Sequence, residues 1–284
     1  MKPNILITGG TGFVGRHVVD ELIESGFSLR LVVRQNSEKR LPANWNGCEI
    51  VEVEDIFSQR ADWWEEKCNG IQTFLNLAWY VDPKDYLGSS RNLDCVSGAF
   101  QMAQGAAAAK VCRFVGVGTC FEYNLAGGDL SVVSTPLKPL TPYAAAKIAT
   151  FQCLEHWLAQ TDTDFLWVRL FYLHGPGERS GRLASTLHEK LSQGINVPLT
   201  SGSQIRDFMD VRDAATLLIR ATLSDTTGAF NVCSGEGISV RSLAEKIADG
   251  YNRRDLLQFG AIADKLVDPP RIVGVPTEII KEKG

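Results

Sequence analysis

Short apolar, β-branched runs recur through the first 170 residues, and longer stretches with apolar positions every three or four residues lie between them. The short runs predict strands over Asn4–Thr8, Ser28–Arg34, Glu49–Val53, Thr73–Leu77, Arg113–Val117 and Asp164–Leu170. The longer stretches predict helices over Gly12–Ser25, Ala61–Cys68, Tyr86–Lys110 and Pro142–Gln160. Strands alternating with helices imply crossover connections, and hence a parallel sheet covered on both faces. This is the doubly wound α/β class.

The pattern changes after Phe171. The segment from His174 through Gly175, Pro176, Gly177, Glu178, Arg179, Ser180 and Gly181 to Arg182 is rich in turn formers and charge, and predicts a functional loop. Shorter elements follow: a helix at Leu183–Ser192, a strand at Arg206–Val211, and helices at Val211–Leu223 and Val240–Tyr251. We therefore expect residues 1–171 to form the main sheet domain. Residues 172–284 then form mostly a smaller lobe over the carboxyl ends of the strands, with a possible return to the sheet at Phe230–Cys233. Such a lobe would close the crevice where open α/β sheets bind ligands.

Composition narrows the function. The 284 residues carry 29 Lys plus Arg against 33 Asp plus Glu, a net charge of −4, and no basic tract. That argues against a nucleic-acid binder. No apolar run approaches the roughly 18 residues of a membrane span. The stretch after Met1 is too short for a signal peptide. The seven cysteines are scattered without a Cys-x-x-Cys pair, and the four histidines show no metal-ligand spacing. The expectation is a cytoplasmic, metal-free protein.

Thr8-Gly9-Gly10-Thr11-Gly12-Phe13-Val14-Gly15 joins the first strand to the first helix. Gly9, Gly12 and Gly15 at three-residue spacing suit a tight turn, close approach of a pyrophosphate, and close helix–strand contact. The helix N-terminus adds free N–H groups and a positive dipole end, so this turn is expected to bind a dinucleotide. At the end of the second strand, an acidic residue would hold the ribose hydroxyls of NAD. Arg34 stands there instead, with Glu38, Lys39 and Arg40 following. A guanidinium suits a 2′-phosphate, favouring NADP(H) with NAD(H) as the alternative; a solvated loop arginine is the competing reading.

Tyr143 and Lys147 share a helix face at i and i+4, just inside a helix introduced by Thr141-Pro142. An ammonium beside a phenol is expected to lower its pKa and tune it for acid–base work. A hydroxyl at the end of the fifth strand, Thr119, would reach the same crevice. In combination these motifs resemble the extended short-chain dehydrogenase/reductase family, in its nucleotide-sugar epimerase/ketoreductase branch, over essentially the whole chain. Further carriers are Asp55-Ile56 after strand three, Asn76-Leu77-Ala78-Trp79 after strand four, Asn92, the loop from Leu170 to Pro176, and Arg206-Asp207-Phe208-x-x-Val211.

The resemblance implies a doubly wound (Rossmann) sheet with a smaller C-terminal substrate-binding lobe. It implies that Tyr143 moves the proton at the sugar oxygen, Lys147 holds the nicotinamide ribose, and Thr119 hydrogen-bonds the same oxygen. Cofactor contacts would come from Gly9, Thr11, Gly12, Phe13, Val14, Gly15, Arg34, Asp55, Ile56, Leu77, Ala78, Trp79 and Asn92, with Tyr143 and Lys147. Thr119, Cys120, Phe121, His174, Arg182, Arg206 and Lys265 would face a nucleotide-diphosphate sugar, Arg206 at the diphosphate. Homodimerisation through the helices after strands four and five is also implied.

Departures sharpen the reading. Dehydratases of this branch place Asp-Glu directly after the threonine; Cys120-Phe121 stand here, and Glu122 comes one position late. His174 replaces a usual tyrosine, and the chain ends at Lys283-Gly284 where relatives continue with Trp and Pro. The leading expectation is NADPH-dependent reduction of a nucleotide-activated 4-keto-6-deoxyhexose. The alternatives are an NAD-dependent 4-epimerase and a non-catalytic, NADP(H)-sensing or protein-binding member.

Overall fold

A computed structural model describes residues 4–37, 41–264 and 268–280. In chain order the elements begin β1 (Asn4–Thr8), α1 (Phe13–Glu24), β2 (Ser28–Arg34), β3 (Glu49–Val53), α2 (Ala61–Lys67) and β4 (Thr73–Asn76). Next are α3 (Arg91–Ala108), β5 (Arg113–Thr119), α4 (Pro142–Leu158), β6 (Asp164–Leu170), β7 (Tyr172–His174) and α5 (Leu183–Ser192). The chain continues through β8 (Val197–Leu199), β9 (Ile205–Asp210), α6 (Val211–Leu223) and β10 (Gly228–Val232). It closes with β11 (Gly237–Ser239), α7 (Val240–Asp249), β12 (Leu257–Phe259) and β13 (Arg271–Ile272).

Among the described residues, the main sheet has seven parallel strands in the order β10-β6-β5-β4-β1-β2-β3. Its central strands β1, β4, β5 and β6 are buried on both sides, as their near-continuous apolar runs require, while the edge strand β3 is only partly covered. Ile5 and Ile7 of β1 face a layer containing Val18, Val19 and Leu22 of α1 and Ala214, Leu218 and Ile219 of α6. Leu6, between them, faces the opposite layer with Trp64, Phe74, Met102 and Phe114. The chain order reverses between β1 and β4, and a ligand crevice opens at such a switch point.

Strand β10 pairs in parallel with β6 at one edge of the main sheet. Helix α6 lies against α1 on the main sheet, because the buried Ala214, Ala215 and Leu218 present its apolar face there. The expectation had left it in the smaller lobe. The remaining late elements form a small sheet in which β9 pairs with β7, β11 and β13, and a two-stranded pair of β8 and β12. Helices α5 and α7 pack there around Leu187, Leu191 and Ala244.

Two local departures from the expected elements shape the site. Strand β5 runs on to Thr119, two residues further than the apolar run suggested. Gly116 and Gly118 allow this, because the indole of Trp167 on β6 lies across both. A Cβ at Gly116 would come 2.5 Å from that ring, and one at Gly118 2.3 Å from its Nε1. Helix α3 begins at Arg91 rather than Tyr86. The preceding residues form turns, and Asn92 Nδ2 donates to the carbonyls of Tyr86 (2.7 Å) and Ser89 (2.9 Å). Pro83 and Gly88 are the turn formers that the apolar spacing overrode.

Candidate active site

The glycine turn lies at the switch point, and its three glycines do different work. Gly9 has φ +73, and a Cβ there would meet the backbone of Leu77 and Ala78 at 2.7 Å. This places the turn against the loop after β4. A Cβ on Gly15 would lie 2.2 Å from the Gly9 carbonyl oxygen, so Gly15 seats α1 on the turn. Gly12 is the open one: its Cβ would meet only Gly9 O, at 3.1 Å. It is the N-cap of α1 with no side-chain cap and no acidic residue in the first turn. This leaves N–H groups and the dipole end for an anion. Thr11 is exposed, Phe13 and Val14 half-buried. This cradle fits a pyrophosphate.

Arg34 ends β2 exposed, and among the described residues its guanidinium has no hydrogen-bond or ion-pair partner. Glu38, Lys39 and Arg40 lie outside the described residues, as does Lys265. Asp55 turns the chain after β3: its Oδ1 accepts from Phe57 N–H at 3.0 Å, and Arg91 stands 3.5 Å from Oδ2. Ile56 is buried in the layer under α2 and α3. Asn76 is a tie between strands, accepting from the Thr8 hydroxyl at 2.6 Å and from Ala78 N–H at 3.2 Å.

The structure brings Thr119, Tyr143, Lys147 and Trp79 together. Thr141 caps α4 by accepting from Ala144 N–H at 3.2 Å, with Pro142 in the first turn, so Tyr143 enters the helix at a fixed angle. Its own N–H donates to Leu87 O at 3.1 Å. The Thr119 side chain faces the phenol and works against the rise in its pKa. Lys147 Nζ donates to Val117 O at 2.5 Å and sits 3.6 Å from the centroid of the Trp79 ring. Trp79 is held in turn by its Nε1–H to Asn92 Oδ1, 2.9 Å.

The expected lowering of the tyrosine pKa is reversed. Tyr143 is 8% exposed, and burial pushes its phenol well above the usual range, with Tyr86, Glu122 and Cys120 adding to the rise. Lys147 is 4% exposed, and burial brings its ammonium down to about 7, against a raising influence from Glu122 and Cys95. Helical spacing fixes which residues are neighbours; desolvation decides which protonation state they hold.

On the substrate side, Cys120 is buried and its thiol is pushed up to about 12 by desolvation, so it is a packed thiol. Phe121 stands edge-on to Tyr172, which stands edge-on to Phe208. The Arg206 guanidinium lies 5.5 Å from the Tyr172 ring, donates to Ile205 O, and meets Asp268 at 2.5 Å. Its neighbour Asp207 is fully buried and accepts from the N–H groups of Ser234, Gly235 and Gly274, which makes it a loop organiser. Arg182, exposed at the N-cap of α5, lies over the Tyr86 ring at 5.6 Å.

His174 stands apart from this cluster. It faces Asp210 across the β7–β9 register, and its charged neighbours are Asp210, Lys246, His188 and Arg212. Burial lowers its pKa. Sequence reasoning missed Tyr86, whose ring is edge-on to Tyr143 at 5.0 Å, and the Asp268 partner of Arg206. The turn formers Pro83 and Gly88 were the available signal for the first. No spacing rule links Arg206 to Asp268.

A seven-stranded parallel sheet, a glycine cradle at its switch point and a buried Tyr–Lys–Thr cluster define a dinucleotide-dependent short-chain dehydrogenase/reductase fold. Residues 5–233 match the model of the NAD dependent epimerase/dehydratase family, and the chain belongs to that family, in the extended short-chain branch. It is similar to dTDP-6-deoxy-L-talose 4-dehydrogenase (NAD(+)) of Aggregatibacter actinomycetemcomitans, 25% identical over 95% of this chain and 99% of that protein. ADP-L-glycero-D-manno-heptose-6-epimerase of Alkalilimnicola ehrlichii is 24% identical over 89% of this chain and 82% of that one. The fold superposes on UDP-glucose 4-epimerase of Thermus thermophilus, solved with NAD, with a TM-score of 0.82 at 20% identity, covering 96% and 90% of the chains.

Proposed function

We propose that this chain reduces the keto group of a nucleotide-activated 4-keto-6-deoxyhexose with NADPH. The observation that carries this reading is the Tyr143 phenol, facing Thr119 and kept protonated by burial. A phenol so held is a proton donor to a carbonyl oxygen, the role a reduction requires. Bound NADPH would supply the hydride. Tyr143 gives its proton to the oxygen, Thr119 orients that oxygen, and Lys147 holds the ribose. Arg206, backed by Tyr172, takes the diphosphate. Cys120 and Phe121 occupy the positions of the two dehydratase carboxylates, which leaves no acid–base pair for eliminating water. The similarity to a dTDP-6-deoxysugar 4-dehydrogenase supports the same bond in the opposite direction.

The exposed Arg34 supports NADP(H). NAD(H) is the alternative, because the relative's name carries NAD(+) and the Thermus epimerase was solved with NAD. These NAD proteins and the heptose epimerase also support a second reading, epimerisation with retained NAD. A sensing role without chemistry is the third, and the intact Tyr143 and Lys147 weigh against it. Coenzyme released from the purified protein by denaturation separates the first two. A reductase carries little coenzyme and exchanges it, whereas stoichiometric bound NAD would establish the epimerase reading. We further propose a cytoplasmic homodimer through α3 and α4. These helices pack on each other and leave Leu93, 71% exposed, and part of Trp157 uncovered. Among the described residues no helix is long and apolar enough to cross a membrane.

A further inference from the structure

Directly behind the Thr119–Tyr143 pair lies a carboxylate that touches no open space. Glu122 is fully buried in the short turn Cys120–Glu122 that follows β5. It accepts from Thr119 N–H at 2.8 Å, from Trp167 Nε1–H at 3.1 Å and from Arg169 Nε–H at 2.7 Å. Gly118 makes room for it: a Cβ there would lie 2.2 Å from Glu122 Oε1. With its oxygens engaged by β5 and β6, this carboxylate is not a displaced dehydratase base. A buried ion pair such as Glu122–Arg169 is weak evidence of stability, since apolar residues of the same volume often do as well. Its position suggests another use.

We infer that Glu122 is a positioning residue of the active site, which sets the Thr119 hydroxyl beside the Tyr143 phenol and presents a negative charge to the Lys147 side chain. The first half follows from the hydrogen bond to Thr119 N–H, which fixes the backbone where the chain leaves the sheet. The second follows from proximity: Lys147 Nζ lies 5.7 Å from the centroid of the Trp167 ring, whose Nε1–H is bonded to Glu122. Lys147, on α4, sees Glu122 from the β5 side, Cys95 from α3, and the Trp79 ring and Val117 carbonyl directly. Tyr143 sees Tyr86 from the loop before α3, Thr119 and Cys120 from the end of β5, and Glu122. Glu122 itself faces Arg169 and Trp167 of β6, with Tyr123 beside it. The Arg169 guanidinium turns towards the rings of Tyr123 and Phe151, at 4.7 and 4.8 Å. Glu122 is therefore the carboxylate that opposes the loss of the Lys147 proton. Its removal lets both Lys147 and Tyr143 lose protons at lower pH, so the two effects act in one direction.

The inference rests on the reading that Tyr143 and Lys147 act on substrate, and the test keeps the two apart. The 13Cε resonance of Lys147, assigned by its absence in Lys147→Arg, is titrated in the full-length chain without ligand. Glu122→Gln keeps the shape and removes the charge. The Lys147 midpoint should fall by about one pH unit, and the basic limb of kcat/KM should move acidward with it. Glu122→Gln with Arg169→Met removes both charges and carries the same test if the single variant fails to fold. An unchanged Lys147 midpoint, or lower kcat/KM with no movement of its basic limb, overturns the inference and leaves Glu122 a packing residue. Tyr143→Phe scores the functional reading separately: wild-type turnover there sinks that reading, while the titration still judges Glu122.

Discussion

The two ends of the crevice are built from different materials. At the cofactor end the working parts are backbone: the Gly9–Gly15 turn, an uncapped helix N-terminus and the packed carbonyls of the β4 loop. At the end proposed for substrate they are side chains drawn from β5, α4, the loop before α3, β7 and β9, and burial suppresses the charges of Tyr143, Lys147 and Cys120. The first kind of site tolerates change at positions that face outward and fails abruptly where backbones touch. The second keeps its fold through most conservative substitutions and loses its chemistry instead.

Tyr143→Phe should break the substrate end most severely. Removing the proton donor is expected to lower kcat about 10²–10⁴-fold with little change in thermal midpoint, which steady-state rates and a melting curve together check. The cofactor end should respond in the opposite sense. Gly15→Ala forces a methyl to 2.2 Å from the Gly9 carbonyl, so stability should fall by about 1–3 kcal/mol or more. Gly12→Ala meets only the 3.1 Å contact and should leave the fold nearly intact while weakening coenzyme binding. Equal stability losses in the two variants, measured by denaturant unfolding, would erase the distinction between them.

Arg34→Ala is expected to weaken NADPH roughly 10–100-fold, the scale of a charged hydrogen bond, and NADH far less. Direct titration with both coenzymes checks this; equal losses would remove Arg34 from the 2′-phosphate. The smallest effect is a pH dependence. Lys147 titrates at about 7 in the folded chain and at its ordinary value near 10.5 when unfolded. Its ammonium is the low-pH form, so kcat/KM of the wild type should decline as pH rises through about 7. Between those values the unfolded chain holds one more proton at this residue, so its contribution to stability grows with pH. Activity and this stability contribution should move oppositely from pH 7 to 8.5, and Lys147→Met should abolish both trends.

This contrast also explains what the sequence made legible. Central parallel strands read as apolar runs because both faces are buried, and β1 and β6 fall where those runs begin and end; β2 and the edge strand β3 also keep their expected bounds. The glycine turn is visible because its requirements are local. Tyr143 and Lys147 are visible because helix periodicity is local too. What stayed hidden depends on residues far apart in the chain. The Tyr143 phenol is raised by burial and by Tyr86, against the lowering influence of Thr119, so reasoning from the neighbouring lysine gave the wrong sign. Glu122 looked like a misplaced dehydratase residue until Arg169 and Trp167, 47 and 45 positions away, closed around it. Turns replace the first residues of the helix expected from Tyr86, and Arg206 found a partner 62 residues later.

In the proposed reaction Tyr143 delivers a proton to the sugar oxygen while the coenzyme reduces the carbonyl. The most direct test follows NADPH absorbance after mixing the protein with 4-keto-6-deoxy nucleotide sugars carrying different bases. A loss of absorbance stoichiometric with sugar, and absent in Tyr143→Phe, is the predicted result. Unchanged absorbance with every such sugar, alongside interconversion of 4-hydroxyl epimers by protein carrying bound NAD, would contradict it.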